Sequence, residues 1–154
     1  MYWILAIMAA IAASLIALVV GGLVTPADYR AVRRIRLQRR APELYALLGD
    51  VAAYEQWTPS PTTIVRQPST RAEVIVLRVT DDDTKSMLQW EWQVDADVTH
   101  SAAHSVVTLT ELGRVGNPVI RFFAALRGHG GNAERTLRAL AEHCDEFGVS
   151  VERI

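Results

Sequence analysis

Glu111 is the acidic residue best placed in this sequence for acid–base or ligand-polarising work. It shares strand parity with Val107 and Leu109, so in a strand its carboxylate points to the same side as their apolar side chains. A buried carboxylate needs a partner. The nearest candidate is Arg121, on the far side of the hinge made by Gly113 and Gly116. Three readings follow, a ligand-polarising or acid–base carboxylate, a Glu111–Arg121 clasp that fixes the hinge, and a solvated strand edge. No second titratable group joins Glu111 to build a polar constellation, so the clasp is favoured. Other reactive groups offer less. His100 and His104 flank a turn at Ser101-Ala102-Ala103, but a metal pair lacks a third ligand. Asp81-Asp82-Asp83 reads as a solvated hairpin loop without further cation ligands. His143 and Cys144 lie on a final helix, Cys144 on its apolar face, with no base to generate a thiolate. No catalytic residue, metal or cofactor is therefore expected. Trp57, Trp90 and Trp92 either line a cavity or fill a core.

The elements that must position these residues begin with a long apolar segment. The chain has 154 residues, half of them apolar, enough for one domain and one additional segment. Its net charge of −1 gives no global attraction for nucleic acid. Cys144 is the single cysteine, so an intrachain disulfide is excluded. Residues 1–24 carry no charge and one hydroxyl, Ser14. About 20 such residues cross a bilayer core, and residues 1–24 are expected to be a transmembrane helix. A cleaved signal peptide fits less well: there is no basic start, the apolar run is too long, and no small-residue cleavage site precedes Pro26. Tyr2 and Trp3 suit one headgroup interface. Arg30, Arg33, Arg34, Arg36, Arg39 and Arg40 all follow the segment and no basic residue precedes it. That asymmetry predicts a single-pass protein with its C-terminal domain in the cytoplasm. The same arginines are either held by anionic headgroups or form a solvated strand face. Ala9, Ala13, Ala17 and Gly21 recur every four residues, a spacing that supports a homodimer through the transmembrane helix.

Residues 25–31 read as a basic juxtamembrane linker, with Pro26 ending the helix. Strict alternation from Arg34 to Gln38 predicts a strand. Pro42 and Glu43 open a helix with Leu44, Leu47 and Leu48 on one face, ended by Gly49. A second helical turn covers Val51 to Gln56. Strands are predicted at Thr62 to Arg66, Ala72 to Thr80, Met87 to Asp95 and Ala103 to Glu111. Within the third, Leu88, Trp90, Trp92 and Val94 share one face. Asn117-Pro118 starts another helix, with Asn as cap and Pro in the first turn. Glycines at 128, 130 and 131 break it, and Asn132 is expected to cap its second part, where Ala133, Leu137, Leu140, Ala141, Cys144 and Phe147 recur at helical spacing.

Strand, helix pair, antiparallel strands and long helix follow one another in this chain. This order resembles the START-like helix-grip superfamily, also called polyketide cyclase/dehydrase or SRPBCC proteins. The resemblance rests on Ala41-Pro42-Glu43 through Asp50, Val51 and Tyr54 to Trp57, on Trp90 to Asp95, and on Thr110-Glu111 through Asn117-Pro118-Val119-Ile120-Arg121-Phe122. It implies an α+β fold in which a curved antiparallel sheet grips a long C-terminal helix around a ligand cavity. The domain is expected over residues 32–148, with 149–154 as a C-terminal tail. About four strands fit between Trp57 and Glu111 where the superfamily usually has six, so a shortened sheet with a small or open pocket is expected. The ligand-binding residues expected from this reading are Trp57, Trp90, Trp92, Glu111, Arg121, Phe122 and Phe123. The implied function is a membrane-anchored domain that binds or presents a hydrophobic small molecule, such as a lipid, without chemistry. Its rivals are a cyclase- or dehydrase-like enzyme and a protein-interaction module at the membrane. The expected partners are the lipid bilayer and that ligand; nucleic acid is not expected.

Overall fold

A computed structural model describes residues 2–59, 62–81, 87–97 and 103–154. The chain forms two compact units, Arg30–Gly113 with Gly130–Ile154, and Met1–Tyr29 with Arg114–His129.

The first of these units is built on a sheet. Its strands are β1 (Asp28–Leu37), β2 (Thr62–Gln67), β3 (Val74–Asp81), β4 (Met87–Ala96), β5 (Ser105–Arg114) and β6 (Glu152–Arg153). They form a six-stranded antiparallel sheet in the order β2-β3-β4-β5-β1-β6. Among the described residues, four strands lie between Trp57 and Arg114, as the alternation predicts. The sheet reaches six because β1 and β6 add to it. The tail at 149–154 is thus partly strand: β6 pairs Arg153 with Arg33 and Glu152 with Arg34.

Alternation decides which side of the sheet is buried. Ile75, Leu77 and Val79 of β3, Trp90 and Trp92 of β4, Val107 and Leu109 of β5, and Ile35 and Leu37 of β1 all face one side and are buried. α2 (Ala41–Gly49) brings Leu44 and Leu48 to this core, α3 (Tyr54–Trp57) brings Tyr54 and Trp57, and α5 (Gly131–His143) brings Ala133, Leu137, Leu140 and Ala141. The sheet therefore grips α5, and the architecture is a helix-grip fold. Two local devices set the helices. Asp50 accepts a hydrogen bond from the Ala52 N–H at 3.1 Å and turns the chain from α2 into α3. The Tyr54 hydroxyl donates to the Leu48 carbonyl at 2.9 Å, and burial pushes its pKa well above the usual phenol value.

Several expectations need correction here. β1 starts at Asp28, inside the segment read as linker. Its inward positions are Ala31, Arg33, Ile35 and Leu37, and an arginine among them hid the strand's first half. The juxtamembrane arginines are accordingly not one solvated face. Arg33 is buried, Arg36 forms a 2.8 Å ion pair with buried Asp97, and Arg39 donates to the Cys144 carbonyl at 3.2 Å. Arg30, Arg34 and Arg40 remain exposed. Asn132 does not cap α5. Gly130 does, with φ of +98°, a left-handed conformation that favours glycine; a Cβ there would also lie 2.8 Å from Ala31 Cβ and from Arg33 Nη2. Phe147 lies beyond α5 and is exposed. Residues 82, 83 and 100–102, and so most of the aspartate loop and His100, are outside the described residues.

The other unit contains α1 (Tyr2–Val24) and α4 (Pro118–Arg127). α1 is long and apolar enough to span a membrane. Residues 2–17 are exposed within the structure, whereas Leu18, Gly21, Gly22 and Thr25 are covered to varying degrees. Their spacing of three, four and seven is one helix face, and α4 occupies it. A Cβ on Gly22 would lie 1.8 Å from the Pro118 carbonyl oxygen, and one on Gly21 would lie 2.9 Å from the Phe122 ring. Gly21, the last member of the four-residue stripe, is thus used within the chain. Asn117 caps α4 as predicted, its side chain accepting from the N–H groups of Val119 at 2.9 Å and Ile120 at 3.4 Å.

Candidate functional site

The gripped interior is where the superfamily resemblance places a ligand, and its described side chains are closely packed. Glu111 is 1% exposed and opposite Trp90 in the β4–β5 register. Its Oε2 accepts from Trp90 Nε1 at 3.2 Å and from Asn132 Nδ2 at 3.2 Å. Both of these partners belong to the sheet unit, as Glu111 does. Within the other unit, Arg121 donates to three backbone carbonyls, of Val115, Thr25 and Gly116, each at 3.1 Å. Strand parity placed Glu111 correctly. The Asn132 partner was hidden because this residue, 21 residues on, reads locally as a helix cap.

Trp90 and Trp92 stack edge-to-face with centroids 6.1 Å apart, and Trp57 meets Trp92 at 6.3 Å in the same manner. All three are buried, Trp92 completely. The indole N–H groups of Trp57 and Trp92 are buried with no hydrogen-bond partner. Such a group costs about 1–3 kcal/mol, which ring packing must offset. A cavity beside Trp90, bordered by Thr62, Leu88, Asn132 and Thr136, measures about 20 Å³. That is room for one water and not for an acyl chain or a polyketide. Among the described residues the carboxylate is held by the Trp90 and Asn132 donors, which gives it a structural assignment. Glu111→Leu should lower stability by about 1–3 kcal/mol, because the Trp90 and Asn132 donors lose their acceptor. Glu111→Gln keeps one acceptor oxygen and should cost less. Equal urea midpoints for wild type and the leucine variant would remove this assignment.

The seven residues expected to form one ligand site are divided between the two units. Trp57, Trp90, Trp92 and Glu111 belong to the sheet unit's core. Arg121, Phe122 and Phe123 belong to α4, where Phe122 packs on Gly21 and Phe123 is largely exposed. Cys144 is buried, and burial raises its thiol pKa; that leaves it a packing residue, as predicted. No group of three or more His, Cys, Asp or Glu side chains among the described residues is arranged to hold a metal.

Larger space lies on the opposite, outward face of the sheet. A groove of about 590 Å³ has Val74, Val76 and Leu112 in its floor and Arg30, Arg71 and Glu91 around it. β3 explains its floor: Val74 and Val76 alternate with the buried Ile75 and Leu77, so this strand is apolar on both faces. That two-sided pattern was legible in the sequence as a signal. Arg30 and Arg71, more than 40 residues apart in the chain, were not legible as neighbours.

The arrangement can be set beside known proteins. No family model matches the chain, and no curated protein matches it. Solved structures are similar to it in part. The Zhui aromatase/cyclase from Streptomyces sp. R1128 superposes with a TM-score of 0.49 at 15% identity, over 77% of this chain and 94% of that one. An HSP90 activator from Plasmodium falciparum gives 0.48 at 11% identity, over 82% and 100%. The Mll3558 protein from Rhizobium loti gives 0.46 at 14%, over 76% and 99%. The assignment of the helix-grip fold rests on the strand order and the packing of α5 described above.

Proposed function

We propose that this protein is a membrane-anchored helix-grip domain that binds an amphipathic, hydrophobic molecule such as a lipid, without chemistry of its own, on the outward face of its sheet. The observation that carries this reading is the 590 Å³ groove with its apolar floor and two arginines. Its volume is within the range of small-molecule sites. Valine and leucine side chains offer area for a short apolar segment, and Arg30 and Arg71 complement a carboxylate or phosphate head. The space beside Trp90 measures about 20 Å³, which favours the outward groove over that spot for a ligand. α1 supplies the anchor, and the arginines that follow it favour a cytoplasmic domain. Self-association through α1 would use Ala9, Ala13 and Ala17, the members of the stripe that α4 leaves exposed.

The test is photo-cross-linking of the intact chain in amphipol with a diazirine fatty acid, followed by peptide mapping. Labelled peptides should contain Val74–Val76 or Leu112, and Arg30→Ala with Arg71→Ala should reduce labelling at least about fivefold. Labelling of a folded protein that maps only to the Trp90–Thr136 region would return the site to the interior. Absence of saturable labelling would leave the protein-interaction module as the better reading.

A further inference from the structure

We propose that α4 is a second membrane element, an interfacial helix that lies at the headgroup level of the bilayer crossed by α1; this rests on the membrane-anchor reading above. Three observations within the α1–α4 unit lead there. First, α4 is apolar on two sides. Phe122 lies against Gly21, while Ile120, Phe123 and Leu126 are 58%, 44% and 69% exposed. At ~100° per residue those three fall within an arc of roughly 120°, a single stripe that no part of this unit covers.

Second, the depth is right. From Tyr2 to Gly22 the helix rises about 30 Å at 1.5 Å per residue, the thickness of a hydrocarbon core. With Tyr2 and Trp3 at one interface, Gly22 reaches the other. The sub-van der Waals approach of a Cβ at Gly22 to the Pro118 carbonyl places the first turn of α4 at that level. Third, the charge is complementary to anionic headgroups. The unit carries Arg114, Arg121 and Arg127 against a single carboxylate, Asp28, and Arg114 and Asp28 sit 3.8 Å apart. Juxtamembrane arginines favour an anionic surface, and an apolar stripe of this kind inserts about 5–10 Å into the headgroup–acyl boundary. Arg121 holds the helix in place. Its guanidinium binds the Thr25 carbonyl at the end of α1 and the Val115 and Gly116 carbonyls before α4.

The occupant of the Ile120–Phe123–Leu126 stripe is therefore the lipid boundary. The experiment uses the full chain in a Cys144→Ser background, with single cysteines at Ile11, Phe123 or Leu126 carrying an environment-sensitive dye. The proteins are reconstituted in phosphatidylcholine–phosphatidylglycerol vesicles. The Ile11 label should be quenched best by a spin label deep in the acyl chain. The Phe123 and Leu126 labels should lose at least about half their emission to a shallow spin label. If the Ile11 label is quenched while both α4 labels stay aqueous, α4 is not interfacial and the proposal is overturned with the anchor intact. If the Ile11 label is not quenched, the anchor reading fails and takes the proposal with it. A blue-shifted α4 label that no lipid quencher reaches, and that reverts on dilution with lipid, assigns the stripe to a second copy and also overturns it.

Discussion

Trp92→Ala should destabilise the sheet unit by about 3–5 kcal/mol, the usual cost of deleting a large buried aromatic side chain. Trp92 is completely buried and meets the rings of both Trp90 and Trp57 edge-to-face, so its removal leaves a large void among packed rings. For a chain of this length the loss amounts to roughly 6–20 °C in melting temperature. Trp92→Phe should cost much less, because the Trp92 N–H has no partner and its removal forfeits no hydrogen bond. Melting of the intact chain in detergent, followed by circular dichroism, measures both. A midpoint for Trp92→Ala within a degree or two of wild type would mean that the indole lines a ligand space and does not fill the core.

Gly22→Ala should separate α4 from α1. The alanine Cβ would sit 1.8 Å from the Pro118 carbonyl oxygen, about half the ordinary contact distance, and the obstacle is backbone that cannot rotate aside. Overpacking costs about 1–3 kcal/mol even where a core relaxes, and here relief comes only by moving a helix. The Arg121 bond to Thr25 and the Val115 N–H bond to the Ala27 carbonyl, 2.8 Å long, should open with it. Hydrogen exchange read by mass spectrometry should then rise at least about tenfold in peptides covering residues 115–122. Gly116→Ala is the control, since a Cβ there meets nothing within 4 Å. Unchanged exchange in Gly22→Ala would show that the two helices are not packed as described.

The membrane-length helix, the strands at β2 to β5, the helix pair and the parity of Glu111 were all legible in the sequence, because each is a local periodicity. A run without charge, an alternation of two or a recurrence at three and four reports which face of an element is apolar. The α+β helix-grip architecture was what the resemblance of their order to the START-like superfamily implied. Three kinds of feature were not local. The start of β1 was masked by Arg33, which occupies an inward position among apolar ones. β6 is two residues long and exists only by pairing with β1. Asn132 was read as a helix cap because its sequence neighbourhood says so, yet it donates to Glu111 across the sheet–helix interface.

The sequence by itself determined which faces of β3 to β5 and of the core helices are apolar and that its N-terminal helix is long and apolar enough to cross a membrane. Only the tertiary structure decided what occupies the space between the buried faces. Three tryptophans could line a cavity or fill it, and periodicity is the same in both cases. The outcome depends on ring orientation and on how closely α5 approaches the sheet, which are set jointly by contacts between elements far apart in the chain. The same holds for Gly21 and Gly22. Their small size permits a close helix approach, but the choice of α4 as the helix that approaches them lies in the fold and not in the spacing.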